Sequence, residues 1–345
     1  MKKFIQEMER TVAELAAPGK GILAADESTG TIEKRFKSVS VPCTEDSRRD
    51  YREILFTTHG LGEFIGGVIL FEETLKQTNA TGVPLPQLLT EQGIVPGIKV
   101  DKGTVALPEF SGEKVTQGLD GLADRLAEYR KFGARFAKWR AVIPIGVGIP
   151  TPEGIAANAV ALARYAAVCQ AQGLVPIVEP EVLMDGNHDI ATCARISEEV
   201  LHTVFHALHQ QRITLELMLL KPNMVVPGVD CAKQATPDDV ATATLACLRR
   251  TVPAAMPSIN FLSGGQSEQM ATANLNAMNI GTVKQPWVLS FSYGRALQAP
   301  ALAAWHGDAK NRDLVQQALY KRARLNSAAR QGRYTAAMEQ EPTAA

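Results

Sequence analysis

Lys221 closes the apolar run 215–220 and is followed at once by Pro222 and Asn223. Strand side chains alternate with a period of two, so Leu217, Leu219 and Lys221 are expected on one face, and that face is otherwise apolar. A free lysine with a pKa of ~10.4 is uncharged in roughly one molecule in a few thousand at neutral pH. Apolar walls disfavour the ammonium form and enlarge that fraction. The chemistry available to such an amine is attack on a carbonyl carbon to give a Schiff base. The competing reading is a strand-end lysine whose stem lies on apolar surface while its ammonium reaches water.

Other charges stand at comparable places. Asp26, Glu27 and Ser28 follow the apolar run that starts at Gly21, and Lys99 and Asp101 follow the run that starts at Val95. Lys138 and Arg140 lie within 136–143, and Glu179 and Glu181 lie within 174–182. The period-two rule places each of the pairs Lys99 and Asp101, Lys138 and Arg140, and Glu179 and Glu181 on one face. Inward salt bridges that merely neutralise one another are one explanation of any single pair. Gathered in one cavity, such lysines, arginine and carboxylates supply an amine nucleophile, proton carriers and phosphate ligands together.

Eight short β-rich runs carry these residues, at 21–28, 64–71, 95–103, 136–143, 174–182, 218–226, 258–265 and 287–294. Most are nearly continuous in Val, Ile, Leu and Phe, as strands buried on both faces of a parallel sheet are. Helical spacing appears between them at 120–132, 152–172, 189–211 and 237–252, with Thr151-Pro152 and Thr236-Pro237 as helix starts. The alternation predicts an α/β fold, a single-domain (β/α)8 TIM barrel at about 17–326, with an N-terminal helix and a tail from Ser327 to the end. An open doubly wound sheet would read in a similar way. In a barrel the active site forms at the C-terminal strand ends, where the charges fall. Two glycine-containing turns close the last two runs, Ser263-Gly264-Gly265 and Ser292-Tyr293-Gly294-Arg295, and loops at that position commonly bind phosphate through backbone N–H groups.

Composition narrows the partners. Lys plus Arg and Asp plus Glu number 36 each in 345 residues, so the chain as a whole has no net pull toward nucleic acid or an anionic membrane. Charges at Lys2, Lys3, Glu7, Glu9 and Arg10 occupy the place of a signal peptide's apolar stretch, and no run reaches membrane-spanning length. The five cysteines are scattered and form no CxxC pair, which fits a reducing compartment, so a cytoplasmic location is expected.

Taken together these segments resemble the class I, Schiff-base, fructose-bisphosphate aldolases. The similar stretches are GKGILAADESTGTIEKR from Gly19, GGVILFEET from Gly66, GIKVDKG from Gly97, FAKWR from Phe136, VPIVEPE from Val175, LLKPNM from Leu219, FLSGGQS from Phe261 and FSYGRAL from Phe291. They run in one order from Gly19 to about Tyr334. The resemblance implies that Lys221 is the Schiff-base nucleophile, Glu179 the acid/base that dehydrates the carbinolamine, and Glu181 its support. It implies that Asp26 takes the C4 hydroxyl proton beside Lys138. Ser263, Gly264, Gly265, Ser292, Gly294 and Arg295 correspond to the C1-phosphate site, and Ser28, Arg35, Lys99 and Arg140 to the far end of the sugar. A homotetramer acting on small-molecule sugar phosphates, with no metal and no cofactor, is also implied. Many relatives end in a tyrosine, whereas this chain ends Glu341-Pro342-Thr343-Ala344-Ala345, so its tail is expected to be dispensable for cleavage.

Two rival chemistries have weaker support. His202, His206 and His209 share a helical face and could be taken for a zinc site, but they fall in the helix after the fifth run, away from the expected mouth. A pyridoxal-phosphate enzyme would also use a lysine and a phosphate cup. A non-catalytic protein on the same fold would be expected to have lost Lys221 or Glu179, and both are present.

Overall fold

The computed structural model describes residues 4–281 and 284–341. Eight parallel strands close a barrel: β1 Gly21–Ala25, β2 Ile65–Leu70, β3 Val95–Lys99, β4 Phe136–Ile143, β5 Val175–Val182, β6 Leu219–Leu220, β7 Ser258–Phe261 and β8 Val288–Tyr293. Around the barrel the order is β1, β8, β7, β6, β5, β4, β3, β2, each paired with its neighbours. This is the (β/α)8 TIM barrel, with helices packed outside the strands.

Alternation along the strands divides the apolar residues into two cores. Outward side chains such as Leu23, Val68, Ile98, Trp139, Val178, Leu220 and Phe291 pack against the helices. Inward ones, Ile22, Ile69, Val95, Phe136, Val175, Ile177 and Leu219, form a smaller cluster with Met8, Val12 and Leu15 of the helix Ile5–Leu15. The N-terminal helix therefore plugs the barrel from below. Glycines in β2 and β3 make this packing fit: a Cβ on Gly97 would lie 2.2 Å from the Phe136 ring, and one on Gly67 would lie 2.4 Å from the Leu15 side chain. No larger residue can stand there while Phe136 fills the interior.

The plug is held by Arg330, whose guanidinium donates to the carbonyls of Ala16, Ala17 and Lys20 just past the helix end. Burial pulls its pKa down to about 10, so it remains charged at neutral pH and matches the negative end of the helix. Arg330→Ala leaves three carbonyls without this partner and is expected to destabilise the fold by about 3 kcal/mol, at ~1 kcal/mol each. Urea unfolding measures it, and a change within error would show that water replaces the guanidinium without loss.

Several boundaries differ from the sequence reading. The runs from Gly21, Val95, Met218 and Ser258 leave the ladder early, at Ala25, Lys99, Leu220 and Phe261. For β6 the cause is Pro222, which has no N–H; the Lys221 N–H still donates to Val178 O at 2.8 Å, and Pro222 only accepts, from Leu262 N–H at 3.1 Å. Met224, Val225 and Val226 are buried all the same, so the stretch is apolar without being a strand. A two-stranded antiparallel hairpin, Thr104–Ala106 with Lys114–Thr116, has no counterpart in the sequence reading.

Residues 327–330 are not tail. They complete the helix Arg312–Arg330, in which Ser327, Ala329 and Arg330 are buried. The tail that follows is tied down: Tyr334 N–H donates to Asn276 Oδ1 at 3.0 Å, and Arg322 Nη1 reaches both Glu339 oxygens at 2.7 Å. Residues 342–345 lie outside the described residues.

Candidate active site

The C-terminal strand ends open into a cavity of about 730 Å3. Its wall carries Asp26 and Ser28 after β1, Lys99 and Asp101 at β3, Lys138 and Arg140 of β4, Glu179 and Glu181 of β5, and Lys221 after β6. Ser263 and Gly264 after β7, and Ser292, Gly294 and Arg295 at the end of β8, complete it with Arg35 from the helix Thr29–Ser38. Five strand ends thus bring together the charges that the period-two reading had put on one face. Among the described residues Gly265 is not part of this wall; its N–H donates to Met184 Sδ at 3.0 Å.

At the floor lies a buried chain of alternating charge. Lys221 Nζ is 3.0 Å from Glu179 Oε1, Lys138 Nζ is 3.2 Å from Glu179 Oε2, and Lys138 Nζ is 2.7 Å from Asp26 Oδ2. Beneath it Leu217 and Leu219 belong to the inward apolar cluster, as expected. Above, however, Lys221 meets a carboxylate rather than a second apolar wall.

Burial by itself would raise the Asp26 carboxyl. The charges of Lys138 and Lys221, with the Lys138 hydrogen bond and Lys99, outweigh it and hold the pKa at about 2. Glu179 is likewise pushed up by burial and brought below its usual range by Lys138, Lys221 and Arg140. For Lys138 burial lowers the pKa, while Asp26, Glu179 and Asp101 raise it further, so its ammonium is fixed.

The sign for stability follows. A depressed carboxyl adds stability that is fully present above its unfolded value, 3.8 for Asp26, and is lost as pH falls toward about 2. Asp26→Asn should therefore be less stable than the parent at about pH 5, and the gap should shrink toward about pH 2. Urea denaturation across that range measures the gap; a gap independent of pH would mean that Asp26 is not ionised in the folded state.

Two further pairs build the walls. Lys99 Nζ is 2.6 Å from Asp101 Oδ1, and Arg140 pairs with Glu181. On the opposite side Arg35 bonds to Glu27, and its Nη2 would be 3.8 Å from a Cβ on Gly294. Arg295 donates to Gly264 O. Its pKa is lowered first by burial and then by the charge of Arg35, with Glu181 and Asp185 acting the other way, so two guanidiniums face the same space. The buried Ser292 hydroxyl has no hydrogen-bond partner among the described residues. Arg295, the unmatched Ser292 donor and the glycine turn are chemically suited to an anion, and Arg35 adds a second cation nearby.

Sequence reasoning placed Glu27 among the strand-end charges but missed that it holds Arg35 and is itself held by Arg52 and Gln298. Glu27 is buried and also accepts from Gln298 Nε2 at 2.8 Å, while Arg52 Nη2 donates to Glu27 O at 2.9 Å. Arg52 is almost wholly buried in the helix Glu45–Phe56, where Tyr51, Ile54 and Leu55 are buried too. A charge on an apolar helical face was the available signal. His202, His206 and His209 face solvent on the outer helix Ile190–Gln210.

Comparison with known proteins gives the same outline. A family model described as class-I fructose-bisphosphate aldolase matches residues 7–345. The chain belongs to the class-I fructose-bisphosphate aldolase family. This aldolase, a lyase, is 54% identical over 331 residues to the probable fructose-bisphosphate aldolase class 1 of Xylella fastidiosa, covering 96% of this chain and 99% of the relative. To fructose-bisphosphate aldolase 1 of Toxoplasma gondii it is 55% identical, covering 96% and 92%. The aldolase of Plasmodium falciparum, solved in complex with TRAP and a small molecule inhibitor, superposes with a TM-score of 0.95 at 51% identity and covers 97% of each chain.

Proposed function

We propose that this aldolase cleaves fructose 1,6-bisphosphate through a Schiff base on Lys221, with dihydroxyacetone phosphate and glyceraldehyde 3-phosphate as products. The observation that carries the reading is the sharing of Glu179 by Lys221 at 3.0 Å and Lys138 at 3.2 Å, on the floor of a cavity rimmed by phosphate-binding groups. Lys221 adds to C2 of the open-chain ketose, and Glu179, 3.0 Å from its amine, handles the proton as water leaves. The iminium then draws the C3–C4 electron pair as that bond breaks. Asp26, ionised throughout the neutral range, receives the C4 hydroxyl proton. So acidic a carboxyl is a weak base, which favours a proton transfer concerted with bond cleavage.

Glyceraldehyde 3-phosphate leaves, the enamine is protonated at C3, and hydrolysis of the new iminium frees dihydroxyacetone phosphate. The electron sink is the iminium, so this route needs no metal. Ser263, Gly264, Ser292, Gly294 and Arg295 receive the C1 phosphate, and Ser28, Arg35, Lys99 and Arg140 the other end. Glu181 supports Glu179 while paired with Arg140. Work in glycolysis and gluconeogenesis, in the cytoplasm and as a homotetramer, belongs to the same proposal; relatives from Arabidopsis thaliana and Spinacia oleracea are named cytosolic and cytoplasmic.

Borohydride added with dihydroxyacetone phosphate should leave a reduced adduct on Lys221, located by peptide mass spectrometry, with loss of cleavage. Folded protein carrying no lysine adduct would sink the mechanism.

A further inference from the structure

The turn 263–266 is held from two sides. Arg295 donates to Gly264 O from the β8 side, and Met184, in the loop after β5, receives the Gly265 N–H on its sulfur. Met184 packs closely there: a Cβ on Gly265 would be 3.1 Å from Met184 Sδ, and one on Gly264 would be 3.4 Å from it. The Met184 backbone is itself anchored, its carbonyl accepting Val229 N–H at 2.7 Å. Its side chain is half-buried, between the exposed Asp185 and the buried Val182. A thioether is a weak acceptor, so the bond it makes to Gly265 orients the turn without locking it.

We propose that Met184 is a peroxide-modifiable latch on the phosphate turn. This rests on the reading of 263–264 as the phosphate site given above. In the reaction the sulfur donates an electron pair to one oxygen of hydrogen peroxide, the O–O bond breaks, an S–O bond forms and water leaves; sulfur is oxidised and peroxide reduced. A sulfoxide oxygen on the lone pair that faces Gly265 N, 3.0 Å away, has no room there. In that epimer either the turn or the side chain has to move. The new oxygen is also a strong acceptor for the Gly265 N–H, next to Gly264 in the phosphate turn. Weaker phosphate binding follows, while the Lys221, Glu179, Lys138 and Asp26 floor is untouched.

The test uses the full chain, treated with hydrogen peroxide until peptide mapping shows Met184 as sulfoxide, then with dithiothreitol to restore thiols. Dihydroxyacetone phosphate is titrated by calorimetry before and after, and borohydride capture on Lys221 is run on the same samples. Oxidation should raise the dissociation constant about two- to tenfold, the range carried by one neutral hydrogen bond. Methionine sulfoxide reductase should reverse it, and Met184→Leu should show no change on peroxide treatment. An unchanged affinity with Met184 oxidised overturns the latch. So does an equal loss in Met184→Leu, which would assign the sensitivity to another group such as Met224, whose sulfur is 3.7 Å from Gln266 Nε2. Missing capture on Lys221 alongside a peroxide-dependent affinity overturns only the Schiff-base mechanism.

Discussion

Lys221→Met should lower the cleavage rate on the order of 10⁴-fold or more and abolish borohydride capture, while the protein stays folded. Methionine keeps the length and apolar stem of lysine and removes only the nucleophile. Glu179 is not stranded by the change, because Lys138 remains 3.2 Å away. The floor also holds a second lysine, and geometry discriminates between them. Lys138 lies between two carboxylates, at 2.7 Å and 3.2 Å, and its ammonium is stabilised by both. Among the described residues Lys221 pairs with Glu179 alone, at 3.0 Å, on the same cavity floor. If Lys138 were the nucleophile instead, the adduct would persist in Lys221→Met and map to Lys138. Rates with fructose 1,6-bisphosphate, together with mass spectrometry of reduced protein, separate the two outcomes.

The barrel was legible because a parallel strand covered on both faces has to be apolar at nearly every position, and β2 and β5 are buried throughout. The same feature hid where strands stop. Past Lys221 the chain stays buried without joining the sheet, so hydrophobicity continues and only Pro222 marks the change. The hairpin at Thr104–Ala106 was illegible for the opposite reason: its residues are exposed and too few to show a period. Ser327-Ala328-Ala329-Arg330 looked like tail because it lacks large apolar side chains. Alanine is nonetheless the best helix former, and a close approach to the barrel requires small residues. The charged floor could be read because Lys138 and Glu179 lie within strands and Asp26 and Lys221 directly follow them, so the alternation fixes their direction. Glu27, Arg52 and Gln298 could not, since their meeting depends on how two outer helices pack against β1.

Lys138→Met is the substitution that most tests whether the floor is one electrostatic unit. It removes the cation that neutralises two buried carboxylates, so a destabilisation of about 3–5 kcal/mol is expected near neutral pH, the usual result of breaking a buried pair from one side. Cleavage should fall as well, on the order of 10³-fold, because Asp26 loses the partner that keeps it ionised. Burial is the largest influence on Asp26 and acts upward; without Lys138 it should carry the carboxyl up from about 2. The pH dependence follows from the signs. In the parent, Asp26 contributes stability above its unfolded value of 3.8 and loses it as pH falls toward about 2, whereas Lys138, with its pKa raised, contributes at every pH below its unfolded value of 10.5. In the variant, acid protonates a carboxylate that is costly to keep charged. The stability gap between parent and variant should therefore be widest around neutrality and narrow below about pH 4. Urea unfolding across that range reads it directly, and a gap of constant size would mean that Lys138 acts by filling space rather than by charge.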